Sequence, residues 1–359
     1  MDIKAHLKTL SELHAPSGYE TPARDALLAA WQPLTDAQET SRMGSLVAYK
    51  YGSGSEPRRR IMLCAHMDEI GMMVRRVENG FVHVANIGGT DSRVVVGKPV
   101  LVHTRTGTLQ GVIGARAAHI LSEDERGRYP HTDEIFVDLG LPAEEVAARV
   151  QIGDLITMDV PLLDLQGQRV AGKAMDNRAC VAVLTACLDA LQRVKHTWDV
   201  LAVASVQEEV GLHGARAEAY RLNPEIAIAL DVTFASQPNV SGATFELGGG
   251  LPLALGANFH PALFEAIKKT AERLEMELPI EPTPMASGTD AWAIQVSRDG
   301  IPVALISVPT RNMHTTVETV DLRDIERGGR LLAAFIASLD ENFLADIVWE
   351  KPEQPKEST

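Results

Sequence analysis

Val200-Leu201-Ala202-Val203-Ala204-Ser205-Val206-Gln207-Glu208-Glu209-Val210-Gly211 is the stretch from which the fold and the chemistry of this chain can be read together. Its first half is an apolar run of strand length, the pattern of a strand covered on both faces. Its second half sets two adjacent carboxylates at the mouth of that strand and closes on a glycine. Charges withdrawn from water need partners. A positive group is therefore required nearby, either a basic side chain or a metal ion.

Working outward, similar runs alternate with helical patterns. Strands are expected at 46–50, 60–65, 198–205, 226–230 and 303–308. Helices are expected from the N-terminus to about Leu13, then to about Trp31, and at 177–191, 261–275 and 322–337. Ser17 and Glu20 have capping-box spacing, and Thr21 is another N-cap candidate, followed by Pro22 at the first helical position. Between Gly71 and about Asp164 the texture changes. Segments 71–77 and 81–84 flank Asn79-Gly80, a hairpin signal, and further short strands come at 98–104, 108–113, 134–138 and 154–159, with one short helix at 143–149. The expected fold class is α/β: a helix-covered, mostly parallel sheet built from segments 1–69 and 169–345. A small β-barrel is inserted at 70–168, and a disordered tail is expected at 346–359.

The totals narrow the function. A formal charge of −14 argues against a nucleic-acid partner. The start, Met1-Asp2-Ile3-Lys4-Ala5-His6, lacks the basic and apolar regions of a signal peptide. No apolar run approaches the ~20 residues needed to span a bilayer, so no membrane partner is expected. Cys64, Cys180 and Cys187 read as buried thiols, which fits a reducing, cytoplasmic location.

The chemistry gathers where the expected strands end. The strand at 60–65 runs into His66-Met67-Asp68, and the strand at 198–205 into Glu208-Glu209. The strand at 226–230 runs into Asp231, and 303–308 leads to His314; Asp176 opens the helix at 177. Ligands of open α/β sheets bind outside the carboxyl ends of the strands. Taken singly, each residue has an ordinary explanation as a hydrogen-bonded histidine, a turn aspartate or an N-cap. Their convergence points to Zn²⁺ or a similar ion, which takes imidazole and carboxylate together, and His-x-Asp offers a carboxylate that fixes the imidazole.

His66-Met67-Asp68-Glu69-Ile70-Gly71, Lys173-Ala174-Met175-Asp176-Asn177-Arg178, Gln207-Glu208-Glu209-Val210-Gly211, Ala229-Leu230-Asp231-Val232-Thr233 and the run from Thr310 through His314 to Glu318 resemble, in this order, the tetrahedral (TET) aminopeptidases, the glutamyl or deblocking family of two-metal peptidases. The likeness runs from about Leu7 to Leu339 and takes in Ala15-Pro16-Ser17-Gly18 and Ile87-Gly88-Gly89. The resemblance implies the co-catalytic zinc peptidase fold and a PDZ-like inserted barrel that takes part in assembly. It implies two divalent ions per subunit (zinc or cobalt, with manganese as a further option) bridged by Asp176. One ion is completed by His66 and Asp231, the other by Glu209 and His314. Asp68 is then the partner of His66, and Glu208 the general base for a metal-bridging hydroxide. The implied activity is aminopeptidase cleavage of peptides by a homo-oligomer, a dodecamer.

The sequence departs from the family pattern at Thr90, His213 and Ser287, none of them a ligand position. His213 reads either as a further ligand or as a surface residue. The 287–290 loop reads either as pocket lining or as a helix-capping turn. Two other functions stand beside peptide hydrolysis: glycoside hydrolysis of an endoglucanase kind using Glu208 and Glu209, and a non-catalytic relative.

Overall fold

The computed structural model describes residues 1–347. Its main sheet has eight strands, in the order Ala37–Thr40, Leu46–Lys50, Asp199–Ser205, Arg60–His66, Ile226–Phe234, Val303–Thr310, Leu253–Leu255 and Ile280–Pro282. The four central strands, Asp199–Ser205 to Val303–Thr310, are mutually parallel, and the strands beside them run antiparallel. Their apolar runs match burial on both faces: all of Val303–Thr310, and Arg60–His66 from Ile61 onward, are buried.

Alternation along one strand sorts the core into two layers. Ile61, Leu63 and Ala65 face the helices Ile3–Glu12, Met175–Leu191, Pro261–Arg273 and Leu322–Ser338, while Met62 and Cys64 face His213–Leu222 and Asp290–Gln295. The first layer is closed by an unusually near approach of two helices. A Cβ added at Gly329 would fall 2.5 Å from Ala186 Cβ, and one at Gly328 would fall 2.8 Å from a Val183 methyl. We predict that Gly329→Val lowers the melting temperature. The gain in helix propensity is under about 1 kcal/mol, whereas overpacking costs about 1–3 kcal/mol. An unchanged or raised melting temperature in a thermal scan would contradict the close packing.

Between residues 71 and 158 the chain forms a closed barrel of six strands, ordered Gly71–Glu78, Phe81–Ile87, Phe136–Asp138, Gly107–Gly114, Pro99–Thr104 and Leu155–Met158. The hairpin at Asn79-Gly80 has positive φ at both residues, 51° and 85°, as a two-residue primed turn requires. Met72, Val84, Val102, Val137 and Ile156 fill its interior. A separate three-stranded sheet joins Leu163–Asp164, Arg169–Gly172 and Glu318–Asp321. Its first two strands carry the chain back from the barrel, and its third is the strand that comes after His314.

Three details differ from expectation. Ser17 and Glu20 do not form a capping box: the Ser17 hydroxyl donates to Asp68, Glu20 accepts from the backbone of Gly18 and Gln207, and the helix Thr21–Trp31 has no side-chain cap. The strand expected to end at Leu230 continues to Phe234, so Asp231 lies within it. Helix His213–Leu222 and several short strands, Ile280–Pro282 and Glu318–Asp321 among them, go beyond the sequence expectation, the strands being too short for a periodic signal. The expected tail lies, from Val348 on, outside the described residues. All three cysteines are free and buried. Among the described residues no helix is long and apolar enough to cross a membrane.

Candidate active site

The parallel arrangement puts the ends of Arg60–His66, Asp199–Ser205, Ile226–Phe234 and Val303–Thr310 on one rim of the sheet. His66 ends its strand; Glu208 and Glu209 come just after the next; Asp231 stands inside the third. The turns beyond are held in left-handed backbone at non-glycine residues: Gln207 at φ 56°, His314 at φ 59°, and Ala174, two residues before Asp176, at φ 57°. Such conformations persist only where their surroundings enforce them, as functional sites do.

Asp176 sits at the centre. Its Oδ1 is 3.2 Å from His66 Nε2 and its Oδ2 is 3.2 Å from His314 Nε2. On the His66 side, Asp231 Oδ1 lies 3.8 Å from Nε2; on the His314 side, Glu209 Oε1 lies 3.5 Å from Nε2. Two triads result, His66–Asp176–Asp231 and Asp176–Glu209–His314, with ligand atoms in each within 4.8 Å of one another. Glu208 belongs to neither; its Oε2 is 3.8 Å from His66 Nε2. The structure thus brings all seven residues singled out in the sequence into one cluster.

Asp68 is fully buried and ties the cluster together. It lies 3.3 Å from His66 Nδ1, accepts from Ser17 Oγ at 2.5 Å, and accepts from the backbone N–H groups of Glu208 and Glu209 at 3.1 and 3.2 Å. One carboxylate therefore lies against the imidazole and holds the turn that carries the two glutamates. Glu318, to which the sequence assigned no role, does the same on the other side. Its carboxylate accepts from the backbone N–H of His314 at 2.7 Å and of Asp176 at 3.0 Å. An acidic residue four places beyond His314 at the start of a buried strand was the available signal. The barrel closes over this side: a Cβ on Gly89 would fall 2.7 Å from His314 Nδ1, and one on Gly88, at φ +69°, would fall 3.2 Å from Glu209 Cβ. Only glycine lets the barrel loop approach two of the cluster's side chains so closely.

The electrostatics answer whether the positive partner is a basic side chain. The nearest buried cations, Lys173 and Arg178, are committed to Glu69 and to backbone carbonyls: Lys173 Nζ is 2.7 Å and Arg178 Nη2 is 3.7 Å from Glu69. The pocket around the cluster, about 550 Å³, is lined by no Lys or Arg. Burial, with Asp231, Asp290 and Glu209 adding to it, pushes Glu208 up to about 10, and burial next to Asp176 pushes Glu209 up to about 7. His314 is raised to about 9 by its bond to Asp176. Burial alone would lower His66, but the charges of Glu208, Asp176 and Asp68 carry it well above its ordinary value. Five carboxylates, Asp68 included, share two imidazoles, so the cluster is short of positive charge. Two divalent cations, one per triad, fit it in number, donor type and charge.

The remaining candidates divide. His213 is exposed, bonds to Gln207 and belongs to neither triad. The 287–290 loop fills both of its expected parts. Ser287, Gly288 and Thr289 line the pocket, and Thr289 caps the helix Asp290–Gln295. Asp290 lies buried behind them, accepting from Ser205 and Cys64.

Residues 44–331 match the family model of the M42 glutamyl aminopeptidases. The chain is 34% identical to the lysyl aminopeptidase of Pyrococcus furiosus over 93% of this chain and 96% of that protein. Among solved structures it resembles a TET aminopeptidase from a marine sediment thaumarchaeon, with a TM-score of 0.91 and 30% identity over 96% of this chain and 99% of the other. It also resembles the TET1 peptidase of Pyrococcus horikoshii, solved as a dodecamer and able to assemble into a tetrahedron or a large octahedral shell. That likeness has a TM-score of 0.82 and 29% identity over 94% of this chain and 100% of the other.

Proposed function

The chain belongs to the M42 glutamyl aminopeptidase family and is an aminopeptidase, and we propose that it removes N-terminal residues from peptides at two divalent ions held by the two triads. The carrying observation is Asp176, whose two oxygens each lie 3.2 Å from a different imidazole. We assign one ion to His66, Asp176 and Asp231, and the other to Asp176, Glu209 and His314. Zinc or cobalt suits this mixture of imidazole and carboxylate, with manganese next. When bound, such ions polarise the scissile carbonyl and lower the pKa of a water molecule.

The protein's own groups carry the rest. Glu208 is a carboxylate outside both triads at the same cavity, free to take a proton from the attacking water and return it to the departing amine. Asp68 holds His66 in one orientation. Glu318 aligns the backbones of Asp176 and His314. The glycosidase alternative gains nothing from this arrangement: Glu208 and Glu209 approach different histidines, so they do not act as a facing pair across a sugar bond. The non-catalytic alternative is disfavoured because every candidate position is filled and convergent.

Self-association into a dodecamer is part of the proposal. Its support is the assembly of the similar P. horikoshii peptidase, together with exposed apolar residues on the barrel segment, Ile120, Tyr129 and Ile152. A stable, active monomer at micromolar concentration in light scattering would overturn it.

The test of the activity is direct. A peptide with a free N-terminus should be shortened one residue at a time, and its N-acetylated copy left intact. Chelation should stop the trimming, and a divalent ion should restore it. Internal cleavage, or trimming that survives exhaustive chelation, would refute the proposal.

A further inference from the structure

Of the carboxylates lining the catalytic pocket, one takes no part in either triad and is not the base. Glu281 lies on the short strand Ile280–Pro282 at the edge of the main sheet, and its side chain borders the same cavity as His66, Glu208 and Asp231. Thr233 Oγ1 donates to its Oε1 at 2.5 Å and Ser307 Oγ donates to its Oε2 at 2.9 Å. Ser307 is the register partner of Asp231 on the adjoining strand, and Thr233 stands two residues beyond Asp231 on the same face. The carboxylate is thereby anchored roughly one to two strand repeats, ~5–10 Å, from a residue of the first triad.

Both donors are neutral hydroxyls, and a carboxylate has about four acceptor positions. Two of them are therefore filled without any compensation of charge, and the pocket lining holds no Lys or Arg to supply it. Apolar groups line the same cavity, among them Val232, Phe234, Leu305 and Met313. A cavity that combines apolar lining with a carboxylate held only by neutral hydroxyls matches a side chain with a methylene stem and a cationic tip. An acidic side chain would meet like charge at Glu281.

Resting on the aminopeptidase reading above, we propose that Glu281 selects peptides with a basic N-terminal side chain, lysine or arginine, by receiving its charged end. Glu281 is then a specificity residue that touches substrate. The competing role, capture of the α-ammonium group, would apply to every substrate alike.

A lysyl substrate and its norleucyl counterpart separate the two roles, because they share the α-ammonium and the stem and differ only at the tip. With the full-length, metal-loaded protein, kcat/KM for the lysyl aminocoumarin amide should exceed that for the norleucyl amide by at least about 10-fold, and the glutamyl amide should be poorest. Glu281→Gln should reduce the lysyl-to-norleucyl ratio by about 10- to 100-fold, the range for a hydrogen bond to a charged group. A wild-type ratio near one, or preference for the glutamyl amide, would overturn the proposal without need of any variant. So would an unchanged ratio in Glu281→Gln, since a uniform loss moves Glu281 to the α-ammonium. A wild-type protein that cleaves none of the panel with zinc, cobalt or manganese would instead overturn the catalytic assignment itself, a result distinct from each of these.

Discussion

Glu208→Gln is expected to keep both divalent ions while lowering kcat by about 10²–10⁴-fold, the contribution of a positioned general base. The expectation rests on the difference between two neighbouring residues. Glu209 Oε1 belongs to the triad around His314, whereas Glu208 is in neither triad and only approaches His66, at 3.8 Å. Successive side chains on an extended backbone point in different directions, and Asp68 holds this turn through both backbone N–H groups. Burial pushes the Glu208 carboxyl up to about 10, and nearby cations pull a carboxyl the other way. The balance of these two effects can set a base near neutral pH. Glutamine keeps the shape and loses the proton-accepting oxygen. Metal content by elemental analysis together with steady-state kinetics decides the matter. Normal turnover would remove Glu208 from its role, and loss of metal would make it a ligand.

Much of this was legible in the sequence because the same residues carry two signals. The run from Val200 to Ala204 is apolar enough to be a buried strand, and the glutamate pair just beyond it is too acidic for an ordinary turn. His66, Asp231 and His314 are read in the same way, each from a β-run and the polar residue at or beyond its end. The features that depend on register between distant segments were not legible. Nothing local says that Ser17 donates to Asp68 rather than capping its own helix, because Asp68 is 51 residues away. Glu318 needed knowledge that its strand lies against the loop bearing His314 and the start of the helix bearing Asp176. Glu281 was hidden for a further reason: a three-residue strand has no period, and its significance comes only from Thr233 and Ser307 on two other strands.

Asp176→Asn should have the widest consequences, since no other side chain belongs to both triads. In the wild-type chain each of its oxygens faces one imidazole at 3.2 Å, and its own backbone N–H is held by Glu318. The amide keeps the volume and one oxygen but replaces the other with an NH₂ group, which cannot ligate a cation. It also removes one negative charge from a set that is short of positive charge. Bound metal should therefore fall from two ions per chain to one or fewer. Activity should drop by about 10³-fold or more, because several kcal/mol of transition-state stabilisation go with the missing ion. A second readout does not depend on turnover. A ligand that binds only the folded state raises the melting temperature by mass action, so zinc should stabilise the wild-type chain clearly and Asp176→Asn much less. A variant that still holds two ions with the wild-type thermal response would show that Asp176 is not the bridge. One that loses the same metal response as Asp231→Asn, and no more, would assign Asp176 to a single triad.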